Sequence, residues 1–250
     1  MRPQMDLEGQ VAIVTGASRG LGRAIALALA EEGASVVLAA RDGQALNEVA
    51  ALIEGLGRDA FVVTCDVRDP AQVKVLAERT LAEWSRIDVL VNSAGVALRR
   101  PFVEISEPDW DAVVDTLLKG TYLVTQAVLP AMIAAKRGNI INLIAPLEKI
   151  AVPGFSAYTA AKYGVTGLTQ TLGKELRRYG ININGLHPGG FADTTMVREN
   201  VPELKQDLLD PSIVTPAAVA LATQPPRGLT GNTIDALAWN TDGGLGGGLQ

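Results

Sequence analysis

Six short runs rich in Val and Ile, at 11–15, 35–39, 60–64, 88–91, 139–143 and 181–185, recur along the chain with gaps between them long enough for helices. As a set they read as near-continuous apolar runs without polar alternation, the pattern that strands of a parallel sheet covered on both faces require. A doubly wound α/β architecture follows, with a parallel sheet and helices on both faces. Helix-start signals fall in the gaps. Asp69 before Pro70 places a capping carboxylate ahead of proline at the first helical position, and Ser106 with Asp109 has the spacing of a capping box.

With 250 residues, α/β folds often remain one unit, so a single domain over 1–250 is expected, with a short extension at 1–6 and a flexible Gly-rich tail at 243–250. Segment 202–226 mixes short helical stretches with Pro211, Pro216, Pro225 and Pro226 and is expected to form a substrate flap. The longest helical candidates, 108–134 and 156–179, are apolar around much of their circumference; they either meet a second subunit or pack on the chain's own core, and the sequence leaves both open.

The charge balance, 22 Lys and Arg against 27 Asp and Glu for a net −5, offers no footprint for nucleic acid or an anionic membrane. The longest uninterrupted apolar stretch, 24–30, is far short of the roughly 18–20 residues that span a bilayer. No secretory signal is readable in 1–10, so a cytoplasmic protein is expected. One cysteine, Cys65, and one histidine, His187, build neither an intrachain disulfide nor a usual Cys/His zinc site, and no metal is expected.

The first run leads directly into Thr15-Gly-Ala-Ser-Arg-Gly-Leu-Gly22, and an amphipathic stretch then continues to Gly33. In a strand–turn–helix context Gly16 permits a tight turn, Gly20 lets backbone approach a pyrophosphate and Gly22 lets helix and strand pack closely, while the helix N-terminus offers free N–H groups. A dinucleotide site is expected on Gly16, Ser18, Arg19, Gly20, Leu21 and Gly22. At the end of the second run, where a carboxylate would select NAD by bonding the ribose 2′-hydroxyl, the chain reads Ala39-Ala40-Arg41. Arg41 with Arg19 suits charge-assisted bonds to a 2′-phosphate, so NADP(H) is the expected cofactor, against the alternative that both are solvated surface charges with Asp42 beside them. At Tyr158-Thr-Ala-Ala-Lys162 the phenol and ammonium are i and i+4 on one helix face, where the cation is expected to lower the phenol pKa toward the working range of a general acid or base.

The glycine turn, Asn92-Ser-Ala-Gly95, Tyr158-Thr-Ala-Ala-Lys162 and His187-Pro-Gly-Gly190 occur in this order, and through them the chain resembles the short-chain dehydrogenase/reductases over about 7–244. The resemblance implies a seven-stranded Rossmann-type sheet, Tyr158 as proton donor or acceptor, and Lys162 bonding the nicotinamide ribose. It also implies Asp66 and Val67 near adenine, Asn92, Ala94 and Gly95 on the ribose side, and Pro188, Gly189 and Thr194 at the nicotinamide amide. The segment 187–196 is one residue longer than the usual form, so Thr195 competes with Thr194. A homotetramer or homodimer through the two long helices is implied as well.

Two positions depart from the family pattern. The serine usually found thirteen positions before the tyrosine is Ala145, with Ile144 beside it, and the asparagine that usually holds a proton-relay water is Leu117. Losing one preorganised donor costs on the order of 10²- to 10³-fold in rate. Glu148 and Lys149 are candidate substitutes in the following loop, set against the reading of an exposed pair; Ser156 and Thr116 point elsewhere on their helices, and His187 reads as a strand-end residue with a satisfied hydrogen bond. The leading expectation is an NADP(H)-dependent oxidoreductase that interconverts a small-molecule carbonyl and alcohol through a Tyr158–Lys162 dyad. Its rivals are a cofactor-binding regulatory or structural protein and non-redox lyase or isomerase chemistry.

Overall fold

The computed structural model describes residues 6–146, 151–204 and 208–242. Seven parallel strands form one sheet: β1 (Val11–Thr15), β2 (Ser35–Ala40), β3 (Ala60–Thr64), β4 (Val89–Asn92), β5 (Gly138–Leu143), β6 (Ile181–His187) and β7 (Thr233–Asp235), in the order β3-β2-β1-β4-β5-β6-β7. The order reverses between β1 and β4, which opens a crevice at the carboxyl ends of those strands. This is the doubly wound Rossmann-type arrangement expected. β7 has three residues and only Ile234 fully buried, too short a run to announce itself.

One sheet face carries α1 (Gly20–Glu31) and α2 (Gly43–Gly55), joined by α8 (Thr215–Ala222) and α9 (Ala236–Thr241), with Ile25, Leu29, Leu46, Ile53, Leu221 and Trp239 in a common core. The other carries α3 (Pro70–Trp84) and α5 (Gly120–Ala135), burying Leu76, Val124, Val128 and Met132 against Ile13, Leu90 and Ile140. Each such side chain contributes roughly 1.5–3 kcal/mol when fully buried. The proline-led cap acts as read, and the capping box forms by half, since the Asp109 carboxylate takes the Ser106 hydroxyl and Arg100. Asp69 accepts from the N–H groups of Ala71 and Gln72 with Pro70 in the first turn, and Ser106 Oγ accepts from Asp109 N–H at the start of α4 (Glu107–Val114).

The 108–134 stretch is not one regular helix. A five-residue π turn, Asp115–Lys119, joins α4 to α5. Thr116 and Thr121 donate their hydroxyls to the carbonyls of Ala112 and Leu117, a back-bonding that competes with the helical ladder, and a Cβ on Gly120 would come within 2.7 Å of Val67. By length and composition the whole Glu107–Ala135 stretch would cross a membrane, yet Val113, Leu117, Val124, Val128 and Met132 are buried in this chain's own core.

Two further expectations change. The apolar character of β5 and β6 is broken by Asn139, Asn142, Asn182 and Asn184, all buried. Their amide nitrogens are held in fixed bonds, Asn142 donating to Thr169, Asn182 to Asn139 and Asn184 to the Leu229 carbonyl, with Asn92 donating to Asn142, while the amide oxygens of Asn92 and Asn182 have no partner among the described residues. The 202–226 stretch is not a flap throughout, because α8 lies inside it with Ala217, Ala218, Leu221 and Ala222 buried against α1. The anticipated tail at 243–250 and most of the extension at 1–6 lie outside the described residues.

Candidate active site

The crevice holds a cleft of about 680 Å³, and a smaller apolar cavity of about 130 Å³ adjoins it; Tyr158 lines both. Gly16 stands at φ +66°, and a Cβ there would lie 2.7 Å from the Ser93 carbonyl oxygen, so glycine lets the β1–α1 turn press against the residues after β4. A Cβ on Gly22 would overlap the Gly16 carbonyl, which fixes how closely α1 sits on its own turn. Arg19 occupies the N-cap of α1 without a side-chain cap, leaving first-turn N–H groups for an anion. The turn residues Gly16, Ser18, Arg19, Gly20, Leu21 and Gly22 all line the cleft. This cradle fits the pyrophosphate of a dinucleotide.

Arg41 lines the same cleft at the end of β2. Asp42 beside it is occupied as the N-cap of α2, accepting from Ala45 N–H at 3.1 Å. Asp66 lines the cleft too, but its carboxylate is held in a bidentate pair with Arg68, whose guanidinium approaches to 2.6 Å. That hydrogen bond, outweighing partial burial, holds the Asp66 carboxyl below the usual carboxylate range. Val67, Ala94 and Gly95 complete this wall. Thr194 lines both spaces, caps α7 (Thr195–Asn200) by accepting from Val197 N–H at 3.3 Å, and has its methyl against Gly20. Its competitor Thr195 lines the cleft alone.

Other sequence candidates fall elsewhere. Asn92 is buried inside the sheet, donating to Thr125 Oγ1 at 3.0 Å and Asn142 Oδ1 at 2.9 Å, and does not line the cleft. Pro188 lines the apolar cavity, whereas Gly189 lines neither space: it donates its N–H to His187 Nδ1 and is packed against Asp235. His187 is buried and also away from both, as its strand-end reading anticipates. Thr116, expected to point elsewhere, does line the cleft, with its hydroxyl committed to Ala112 O at 2.7 Å. Ser156 lines neither space, and its buried hydroxyl has no partner among the described residues. Glu148 and Lys149 lie outside the described residues.

Tyr158 and Lys162 sit one turn apart on α6 (Ser156–Leu176), and both line the cleft. Lys162 is buried and donates to the Leu143 carbonyl at 2.5 Å, and its Nζ lies 5.7 Å from the centre of the Tyr158 ring. The expected lowering of the phenol pKa is reversed in this arrangement. Burial pushes Tyr158 up to about 12 and Lys162 down to about 8, since the low-dielectric surroundings disfavour both charged forms. The departures sit on the walls: Ala145, 5% exposed, borders the apolar cavity, and Leu117, 2% exposed, lines the cleft from the π turn.

Sequence reading missed the residues that shape the apolar cavity, among them Phe155, Phe191, Val152 and Val197. Phe155 meets Tyr158 edge to face, with ring centres 6.1 Å apart. An aromatic three positions before the tyrosine is the only local sign these residues give.

Comparison with known proteins accords with this geometry. The profile of the family described as short chain dehydrogenase matches residues 10–205. A 3-oxoacyl-(acyl-carrier-protein) reductase of Thermotoga maritima is 36% identical over 96% of this chain and 99% of its own length, and one of Synechocystis is 39% identical over 96% and 98%. Among solved structures, a metagenomic short-chain oxidoreductase in complex with NADP has 37% identity and a TM-score of 0.81, over 92% of this chain and 97% of that one. A putative short-chain alcohol dehydrogenase from Sinorhizobium meliloti has 33% identity and a TM-score of 0.87, over 96% and 99%.

Proposed function

The chain belongs to the short chain dehydrogenase family, and from that premise we propose that it is an NADP(H)-dependent oxidoreductase, acting as one domain, that interconverts a small-molecule carbonyl and an alcohol. The observation that carries the reading is that Tyr158 and Lys162 border the same cleft as the glycine turn, Arg19 and Arg41. NADP(H), when bound, supplies or accepts the hydride. The turn N–H groups bind the pyrophosphate, and Arg41 with Arg19 selects the 2′-phosphate.

Lys162 holds the nicotinamide ribose, and Tyr158 gives its hydroxyl proton to the substrate oxygen as negative charge develops there. With its pKa pushed up, Tyr158 remains protonated across the neutral range, the state that carbonyl reduction requires. Ala145 and Leu117 leave this dyad without the family's serine and asparagine. The exposed rings of Tyr122 on α5 and Tyr163 on α6 support association of copies through the two long helices, as a dimer or tetramer.

The test is consumption of NADPH and of NADH over a panel of aldehydes, ketones, quinones and a short 3-oxoacyl thioester. Turnover with preference for NADPH is expected. Tight NADPH binding with no turnover of any panel member would favour the cofactor-binding protein instead, and product formation without NADPH loss would favour non-redox chemistry.

A further inference from the structure

The small cavity beside Tyr158 is walled by hydrocarbon: Ala145, Pro146, Val152, Phe155, Phe191 and Val197 stand around it, and among the described residues no charged side chain lines it. Three polar side chains reach it. Thr194 is occupied as the α7 cap, and Asn200 donates its amide to Met196 O at 2.9 Å. The third, the Tyr158 hydroxyl, has no hydrogen-bond partner among the described residues. Two cations stand behind the cavity's aromatic lining: Arg99, 5.9 Å from the Phe155 ring and paired with Glu203, and Lys162, 5.7 Å from the Tyr158 ring and bonded to the Leu143 carbonyl.

Ala145 takes on a positive meaning in this setting. Its methyl completes an apolar wall where a hydroxyl would need a partner, and a polar substrate group placed against that wall would lose its water without replacement. An apolar cavity of roughly 150 Å³ holds a benzene molecule, so about 130 Å³ suits the body of a six-carbon ring or a branched chain of similar bulk.

We infer that this site takes a compact apolar aldehyde or ketone, whose hydrocarbon body fills the cavity and whose carbonyl oxygen receives its one protein hydrogen bond from Tyr158. The inference rests on the carbonyl-reductase reading above and adds the substrate class. Charged and hydroxylated carbonyl compounds of the same size would find no partner among the described side chains of the wall, while a chain much longer than six carbons would have to leave through the cleft.

The test uses two ketones of the same shape, cyclohexanone and tetrahydropyran-4-one, which differ by one methylene replaced with an ether oxygen opposite the carbonyl. Their kcat/KM values with NADPH are each divided by the rate of reduction by borohydride, which removes the difference in intrinsic reactivity. The corrected preference for cyclohexanone is expected to be about tenfold or more. Val197→Thr, which keeps the shape and adds a hydroxyl to the wall, is expected to narrow it at least severalfold, chiefly through KM. Equal or reversed preference, or a preference that Val197→Thr leaves unchanged while the protein remains folded, overturns the inference. If no carbonyl turns over at all, the reductase reading fails, and the cavity is then read by calorimetry with cyclohexanol and tetrahydropyran-4-ol. Selective binding of cyclohexanol upholds the apolar site, and equal binding overturns it.

Discussion

The two spaces that meet at Tyr158 are made in different ways. The large cleft takes its shape from local backbone chemistry at the ends of β1, β2 and β4: glycines where a Cβ would collide, an uncapped helix start, and arginines beside them. The small cavity takes its shape mostly from side chains outside the motifs, such as Val152, Phe155, Phe191 and Val197, that come together from the segments after β5 and β6 and from α7 around Tyr158. A family can therefore keep the first nearly constant and remake the second, and substitutions in the two should fail in different ways: through cofactor in the cleft, through substrate in the cavity.

Lys162 joins the two regions and should show the largest effect. Lys162→Met is expected to lower reduction on the order of 10²-fold, since the positioned ammonium beside the phenol is lost. Stability should move the opposite way. The folded pKa of Lys162, about 8, lies below its ordinary 10.5, so the unfolded chain binds the extra proton between those values and stability rises with pH across that window; for Tyr158 the sense reverses between 10 and about 12. At pH 7 the methionine variant should therefore be more stable by up to about 3 kcal/mol, a gain that fades toward pH 10. Urea denaturation at the two pH values measures it, and a variant less stable at pH 7 would make Lys162 a structural residue.

Arg41→Ala sharpens the contrast from the cleft side. NADPH affinity should fall about tenfold with NADH affinity unchanged, because only the 2′-phosphate loses a charge-assisted bond. Fluorescence titration with both cofactors separates this from a general weakening. Where the two spaces meet, Ala145→Ser on the cavity wall with Leu117→Asn on the cleft wall is expected to raise reduction of simple ketones severalfold. No gain in kcat/KM would mean the site has been rebuilt around another chemistry.

How much of this was legible follows the same division. Strands β1 and β3 were readable to the residue, and β2, β4, β5 and β6 nearly so; β1, buried throughout, is written as an apolar run, while the edge strand β3, with only Val63 fully buried, was betrayed by its β-branched and aromatic residues. β4 begins at Val89, one residue after the start of the run read from the sequence; Asp88 ahead of it accepts with its carboxylate from Val11 N–H and from Arg86. The π turn was hidden because what accompanies it, the close approach of Gly120 to Val67 and two threonine back-bonds, has no period in sequence.

In the site, the glycine turn and the Tyr158–Lys162 pair were visible because each is local. The direction of the Tyr158 shift was not, since it depends on burial by distant elements rather than on the neighbouring lysine. Asn92 and Gly189 show the same limit in reverse: their motifs are conspicuous, yet one side chain ties strands together and the other glycine accommodates Asp235.

The central claim is that Tyr158 alone supplies the proton to the substrate oxygen in a site that lacks the usual serine. The most direct measurement compares Tyr158→Phe with the wild-type protein for NADPH consumption on the best substrate, after both are shown to bind NADPH equally. The account predicts a loss on the order of 10²- to 10⁴-fold in kcat with cofactor affinity retained. Turnover that survives the loss of the hydroxyl would contradict it.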